Sequence, residues 1–223
     1  MGRPVFLLLC LLLAACSGDS HCFSVTGGCE SNDGIVWYCL SNSLGDVVTA
    51  HDEVAALLES LGGAPPANAT LDVATGAYTI TLPDGGLEGI ISTADDLGDG
   101  FDLGEEATVL WSLEGQHFYG VATGGGSFTF VRSAAGFSVT GSGSTDDESG
   151  CDLDVASLSL TGSSSSNFGT GTLAFSCRSS GGTVVGTVTF DGSDTGDIAA
   201  QFRGEAVSWT FDLDTHTVAF GPS

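Results

Sequence analysis

Positive charge is almost absent from the chain, whose 223 residues contain four Arg and no Lys against 28 Asp and Glu. Because a phosphate backbone is bound through a cationic surface, this balance excludes an electrostatic nucleic-acid binder. Proline is also scarce, with five residues, and only 14% of the residues are charged. Since 42% of the residues are apolar, the chain has the material for a packed core, and we expect a folded protein.

Long apolar runs are missing too, apart from one near the start of the chain. Residues 5–15 form an uninterrupted apolar run preceded by Arg3, and this run ends in Leu13-Ala14-Ala15-Cys16. A membrane-spanning helix needs about 20 such residues, whereas a run of this length is typical of the hydrophobic part of a signal peptide. The sequence therefore predicts an exported protein.

The end of this run resembles the lipobox of bacterial lipoproteins, in which small residues precede a cysteine that is acylated and becomes the new N-terminus. The resemblance covers residues 1–16 and implies that Cys16 carries the lipid and anchors the protein in a membrane. In this family the following residue directs sorting, and Ser17 in place of Asp implies the outer membrane, facing the periplasm or the cell surface. The alternative is an ordinary secretory signal, with Cys16 a plain thiol.

Export favours disulfide bonds, and five cysteines remain after Cys16. Cys151 and Cys177 flank a hairpin pattern that folds about residues 162–166. This pattern predicts that Cys151 lies opposite Cys177 and Leu153 opposite Phe175. Residues directly opposed on neighbouring strands are close enough for a disulfide, so we expect a Cys151–Cys177 bridge.

The other three cysteines form an odd set. A turn signal, Asn32-Asp33-Gly34, lies between Cys29 and Cys39 and favours a Cys29–Cys39 bridge. A Cys22–Cys39 bridge is the alternative. A zinc site made by these three cysteines and His21 would also explain the odd number, although their spacings differ from those of common zinc modules.

The chain divides into four segments by pattern. Residues 1–15 are the signal peptide, 16–21 a lipidated tether, 22–66 a small cysteine-containing segment and 67–223 a β domain. In the third segment we expect two short strands, around residues 23–25 and 35–38, and then a helix over about residues 50–61 with Thr49 as its N-cap. Pro65-Pro66 marks the internal boundary before the β domain.

After residue 67 the sequence consists of short alternating runs separated by Gly, Ser and Asp. These runs predict a mainly β fold, an antiparallel β-sandwich or an open barrel or meander, with one short N-terminal helix. A local repeat relates residues 71–77 to residues 211–217 as two hairpins with three-residue loops, which predicts a positive φ angle at His216. The predicted strands begin near Thr70, Ala77, Leu87, Glu106, His117, Ser127, Gly136, Asp152, Phe168, Thr183, Ile198, Ala206 and His216.

An acidic loop at residues 95–106 is the candidate metal site. Asp95, Asp99 and Glu106 fall at ligand positions of an EF-hand loop, and Asp102 adds a further carboxylate, but the pattern departs from the EF-hand at Leu97. Many carboxylates in a glycine-rich loop can surround a hard cation. The sequence therefore indicates calcium as the candidate cofactor and leaves a merely solvated acidic loop as the alternative.

No catalytic motif stands out, and we expect a non-enzymatic binding or structural module. Two alternatives remain open. One is a hydrolase with paired carboxylates on a sheet face, such as Asp152 and Asp154. The other is a lipocalin-like carrier of an apolar ligand, because Phe128 with Phe130 and Trp209 with Phe211 suit either a filled core or a hollow one.

Overall fold

One long helix and twelve strands make up the part of the protein that the computed structural model describes, which is residues 32–61, 64–72, 77–81, 88–93, 101–117, 120–147 and 150–220. The helix, α1, runs from Asn32 to Ser60. The strands are β1 (Ala69–Asp72), β2 (Ala77–Thr81), β3 (Glu88–Thr93), β4 (Glu106–His117), β5 (Gly120–Ser133), β6 (Gly136–Asp147), β7 (Asp152–Ser163), β8 (Thr170–Ser179), β9 (Gly182–Asp191), β10 (Thr195–Phe202), β11 (Glu205–Asp212) and β12 (Thr217–Phe220).

All twelve strands belong to one antiparallel sheet, in which each strand pairs with its neighbours in sequence. The expected mainly β fold is confirmed, and it is the meander rather than two packed sheets. Because the strands alternate in direction, their connections lie at two ends. We call the end with the β6–β7, β8–β9 and β10–β11 connections the thiol end, and the end with the β7–β8, β9–β10 and β11–β12 connections the cleft end.

The sheet curls around α1, which contacts β4, β6, β7, β8, β9 and β12. A flat sheet from β4 to β12 would be about 38 Å wide at ordinary strand spacing, several times the width of a helix. One helix can therefore contact both β4 and β12 only if the sheet bends around it. The helix and the sheet share a single core cluster, in which Leu40, Val54 and Leu57 of α1 have no exposed surface.

The helix is much longer than expected, because it includes residues 35–38, which we expected to form a strand, and Thr49, which we expected as the N-cap. The prediction was wrong because α1 is buried on nearly all sides. Every residue from Leu44 to Val48 is buried, so the one-sided apolar stripe of a surface helix appears only in its second half. Among the described residues, no helix is both long and apolar enough to cross a membrane.

The helix also covers the edge strand β12. The backbone N–H of Val218 donates a hydrogen bond to Ser41 Oγ at 3.0 Å. The indole Nε1–H of Trp37 donates to the carbonyl oxygen of Val218. Strand edges carry backbone groups without a ladder partner, and these side chains satisfy both groups of Val218.

Glycines inside the sheet permit a close approach of β5 and β6. Gly126 lies opposite Gly143, and a Cβ atom on Gly126 would lie 2.2 Å from the carbonyl oxygen of Ser142. The indole of Trp111 occupies the space where a Gly143 side chain would be. We expected separate strands near His117 and Ser127, but β5 runs through Gly124-Gly125-Gly126 without a turn, so the sheet has one strand fewer than predicted.

The two hairpins of the local repeat have the same register. Asp72 pairs with Ala77 in the first, and Asp212 pairs with Thr217 in the second. Each therefore has four residues between its last paired residues, where we expected three. The predicted positive φ at His216 is confirmed, with a value of 52°. In this second loop Asp212 Oδ1 accepts hydrogen bonds from the backbone N–H and the hydroxyl of Thr215, which lower the pKa of the Asp212 carboxyl.

Replacement of Gly126 by Ala should destabilise the protein by about 1–3 kcal/mol or more, because the new methyl group meets backbone atoms of β6 that cannot rotate away. Gly125→Ala is the matched control. Its Cβ would lie 3.2 Å from the backbone oxygen of Trp111, its nearest neighbour on β4, so we expect a loss below about 1 kcal/mol. Urea denaturation of both variants measures the difference, and equal losses would contradict the close approach.

Replacement of Gly45 by Ala tests the contact between α1 and the β11–β12 loop. Helix propensity alone predicts a gain of about 1 kcal/mol. The structure predicts a net loss of about 1 kcal/mol, because the added Cβ would lie 2.9 Å from His216 Cβ. Urea denaturation should show that His216→Gly restores stability in the Gly45→Ala background, and a stabilised single variant would contradict the contact.

Candidate functional site

The β7–β8 hairpin exists, but its register differs from the expected one. Cys177 lies opposite Leu153, and Phe175 lies opposite Val155. The expected direct opposition of Cys151 and Cys177 is therefore wrong, and both residues are present as thiols rather than as a bridge. The register moves because the turn closes through a Ser164–Asn167 bridge and because β7 has an irregularity between Val155 and Ser157.

The structure brings Cys39 of α1 to the same place. Its Sγ lies 3.4 Å from Sγ of Cys177, and it also lies 3.5 Å from the carbonyl oxygen of Arg178. Cys29 lies outside the described residues, so the expected Cys29–Cys39 bridge stays a prediction. The described residues also exclude Cys16, His21 and Cys22. The zinc alternative therefore stays a prediction as well.

The acidic loop is described only in its second half, since Asp95 and Asp99 lie outside the described residues. Phe101 is buried and packs against Phe137 with ring centroids 6.0 Å apart. Asp102 is exposed, and its backbone N–H donates to a carboxylate oxygen of Glu105 at 2.6 Å. Glu106 is exposed at the start of β4. Calcium binding by this loop stays a prediction.

A polar cleft of about 190 Å³ opens at the cleft end of the molecule. Helix α1 forms one wall, and the loops β7–β8, β9–β10 and β11–β12 form the others. Three carboxylates therefore arrive from three separate elements. The lining residues are Val48, Asp52, Ser165, Ser166, Asn167, Phe168, Ser193, Asp194, Leu213 and Asp214.

Contacts between the elements hold this cleft in shape. The backbone N–H of Leu213 donates to the carbonyl oxygen of Asp194 at 2.9 Å. Glu59 of α1 accepts hydrogen bonds from the backbone N–H and the hydroxyl of Ser165. The cleft can therefore offer hydroxyl and carboxylate oxygens to a polar or cationic ligand. Across the residues that the structure describes, no three His, Cys, Asp or Glu side chains are arranged to hold a metal ion.

His51 lies behind the cleft wall and has no exposed surface. Its Nδ1 lies 2.8 Å from Asp52 Oδ1. Its ring packs against Phe168 and Phe130 with centroids 4.6 and 5.6 Å away, and Nε2 has no hydrogen-bond partner. Because Nδ1 is engaged by Asp52 and the ring lies among phenylalanines, His51 acts as a core aromatic that orients Asp52.

The outer face of the sheet carries a second group of charges near the thiol end. Asp146 and Asp152 are directly opposed on β6 and β7. Asp152 is also opposite Arg178 on β8, and their charged atoms are 3.6 Å apart. Desolvation, a hydrogen bond with Asp152 and the negative charges of Asp152 and Asp147 raise the pKa of Asp146.

The sequence pattern identified Asp152 of this carboxylate group but not Asp146. It singled out Asp152 with Asp154, which follow each other on the outer face of one strand. The structure gives Asp152 the cross-strand partner Asp146 instead. Only the β6–β7 register shows that the carboxylates of Asp146 and Asp152 meet. The cleft gave no sequence signal, because its residues are spread over more than 160 positions.

Comparison with known proteins adds no relative: no family model, no curated protein and no solved structure matches this chain.

Replacement of Asp146 by Asn should raise the melting temperature at pH 7 by about 1–3 °C, because it removes repulsion between directly opposed carboxylates. The pKa of Asp146 is raised in the folded state. The associated stabilisation is therefore present at acid pH and is lost as the pH rises through the folded pKa. The advantage of the variant should accordingly shrink toward acid pH.

Asp154→Asn is the matched control, because Asp154 is an exposed carboxylate on the same face and lies opposite Ser144 and Ser176. It removes the same charge without removing the opposed pair. Calorimetric melting from pH 3.5 to 7 measures both variants. The same pH-dependent gain in the two would show that overall charge, rather than the Asp146–Asp152 pair, is responsible.

Proposed function

We propose that the protein is an exported, lipid-anchored and non-enzymatic module, which serves as a binding or structural unit at the outer membrane. Residues 1–16 supply the export and anchoring signal of this proposal, with Cys16 as the acylated residue. One observation carries the choice of a binding or structural module over a hollow carrier: helix α1 and the aromatic side chains fill the space enclosed by the sheet. The functional surface then consists of the outer face and the two ends.

The filled interior supports this module over a lipocalin-like carrier. A carrier keeps an apolar cavity in the middle of its sheet, with a volume of several hundred Å³. In this protein Phe128 and Phe130 of β5 and Phe211 of β11 are at most 1% exposed. They pack in the same core cluster as Leu40 and Leu44 of α1. Helix side chains thus occupy the position of a carried ligand.

The second candidate function is a hydrolase that uses Asp146 and Asp152. The observation in its favour is the raised pKa of Asp146 beside a second carboxyl. The geometry fits this function less well. Carboxyls that flank a glycosidic bond lie about 5 Å or more apart, whereas these two are in hydrogen-bond contact. Asp152 also pairs with Arg178, which favours a structural charge row.

The charge distribution supports a module that works next to a membrane without lying on it. Beyond residue 15 only three Arg remain, and 28 acids accompany them. Arg132 lies over the ring of Phe137 and Arg203 over the ring of Phe202. An acidic surface is repelled by anionic lipid headgroups, so the lipid rather than the protein surface would provide attachment.

Labelling the full chain with a palmitate analogue in a bacterial host tests the anchor. Wild-type protein should incorporate the label, lose residues 1–15 and partition into detergent, whereas Cys16→Ser should lose nearly all of the label. Cys10→Ser is the matched control, since Cys10 leaves with the signal peptide and its replacement should not change labelling. Unlabelled wild-type protein, or a Cys16→Ser variant that keeps the label, would refute the proposal.

A further inference from the structure

Three cysteine thiols meet inside the protein at the thiol end. Cys39 comes from α1, Cys151 immediately precedes β7, and Cys177 lies near the end of β8. They are 1%, 3% and 0% exposed. Hydrogen bonds with the Cys151 and Cys177 thiols, together with burial, raise the pKa of Cys39 far above its ordinary value. All three sulfurs therefore share one small buried space.

We propose that this cluster is an oxidation site, in which Cys39 and Cys177 form a disulfide bond that joins α1 to β8. The two Sγ atoms are 3.4 Å apart as thiols. A disulfide requires about 2.05 Å, so closing the bond takes a movement of little more than 1 Å. Side-chain rotation can supply this movement, because both residues already point to each other.

Cys177 is a better partner than Cys151 because of its position in the sheet. Cys177 lies within the regular ladders to β7 and β9, opposite Leu153 and Val184. Cys151 lies in the connection before β7, where its backbone N–H donates to Asp147 Oδ1 and its carbonyl oxygen accepts from Asp147 N–H. These bonds hold Cys151 to β6, so a bond from Cys39 to Cys151 would pull on the connection.

The oxidation rests on the proposed export, since an exported compartment supplies the oxidant. The oxidant is the disulfide of a thiol–disulfide oxidoreductase. One cysteine thiolate attacks that disulfide and forms a mixed disulfide, and the second thiolate then displaces the enzyme. Two protons and two electrons leave Cys39 and Cys177, and the oxidoreductase becomes a dithiol. Because the folded cluster is buried and Cys39 resists ionisation there, the exchange occurs before α1 docks.

The bond would connect residues 138 positions apart, the long-range contact that places the helix inside the sheet. Closing such a long loop restricts the unfolded chain strongly, and for a protein of this size the melting temperature should fall by about 5–20 °C on reduction. Cys151 would remain as a buried thiol beside the bond.

Peptide mapping without reduction is the direct test. Full-length protein is isolated from the membrane fraction after thiol blocking, and a second sample is unfolded and refolded in a glutathione redox buffer. A Cys39–Cys177 linked peptide in both samples supports the inference and the export. A linked peptide in the refolded sample alone supports the inference and counts against export. A Cys39–Cys151, Cys151–Cys177 or Cys29–Cys39 link as the main product, or three unlinked thiols after refolding, would overturn the inference.

Variants separate the bond from the packing of the thiols. Cys39→Ala and Cys177→Ala should each abolish the shift in melting temperature between oxidised and reduced protein. Cys151→Ala is the matched control, because it creates a similar small cavity but should keep the shift. If a variant does not fold, Cys39→Ser and Cys177→Ser provide the same comparison. A redox shift that depends on Cys151 instead would also overturn the assignment.

Discussion

Burial of α1 inside the curled sheet is the interaction on which the rest of the structure depends. The inward side chains of β4 to β12 need an apolar surface to cover them, and a single antiparallel sheet provides no second layer. The helix is that layer, with Leu40, Leu44, Val54 and Leu58 buried against the strands. It also satisfies the backbone of Val218 at the β12 edge. Without the helix, both the inner face and this edge would be exposed.

The curvature of the sheet follows from small residues at particular positions. Gly126 and Gly143 face each other on β5 and β6, where backbone atoms of the two strands come too close for any side chain. The indole of Trp111 lies in the space that Gly143 leaves and stacks on Phe128 with centroids 5.4 Å apart. A large side chain on one strand fills the space beside glycines on the neighbouring strands. The inner face of the sheet can therefore bend without leaving a void.

Much of the β architecture could be predicted from the sequence, because strand ends and turns are encoded locally. Alternation located most strands, and His216 was recognised as left-handed from the form of its hairpin. The first half of α1 could not be predicted, since Ile35 to Tyr38 favour a strand locally and only packing against the surrounding sheet stabilises them as a helix. The meeting of Cys39 with Cys177 could not be predicted either, because it depends on where that helix crosses the sheet.

The position of the helix also limits where the protein can act. Its first half lies at the thiol end, where Cys39 contacts Cys177, and its second half forms a wall of the cleft through Val48 and Asp52. A displacement of α1 would therefore disturb both ends together, because a helix transmits movement along its length as a rigid element. A covalent link between α1 and β8 would hold the helix, which forms one wall of the cleft, in a fixed position relative to the three loops that form the other walls. Stability at one end and ligand access at the other would thus depend on the same packed helix.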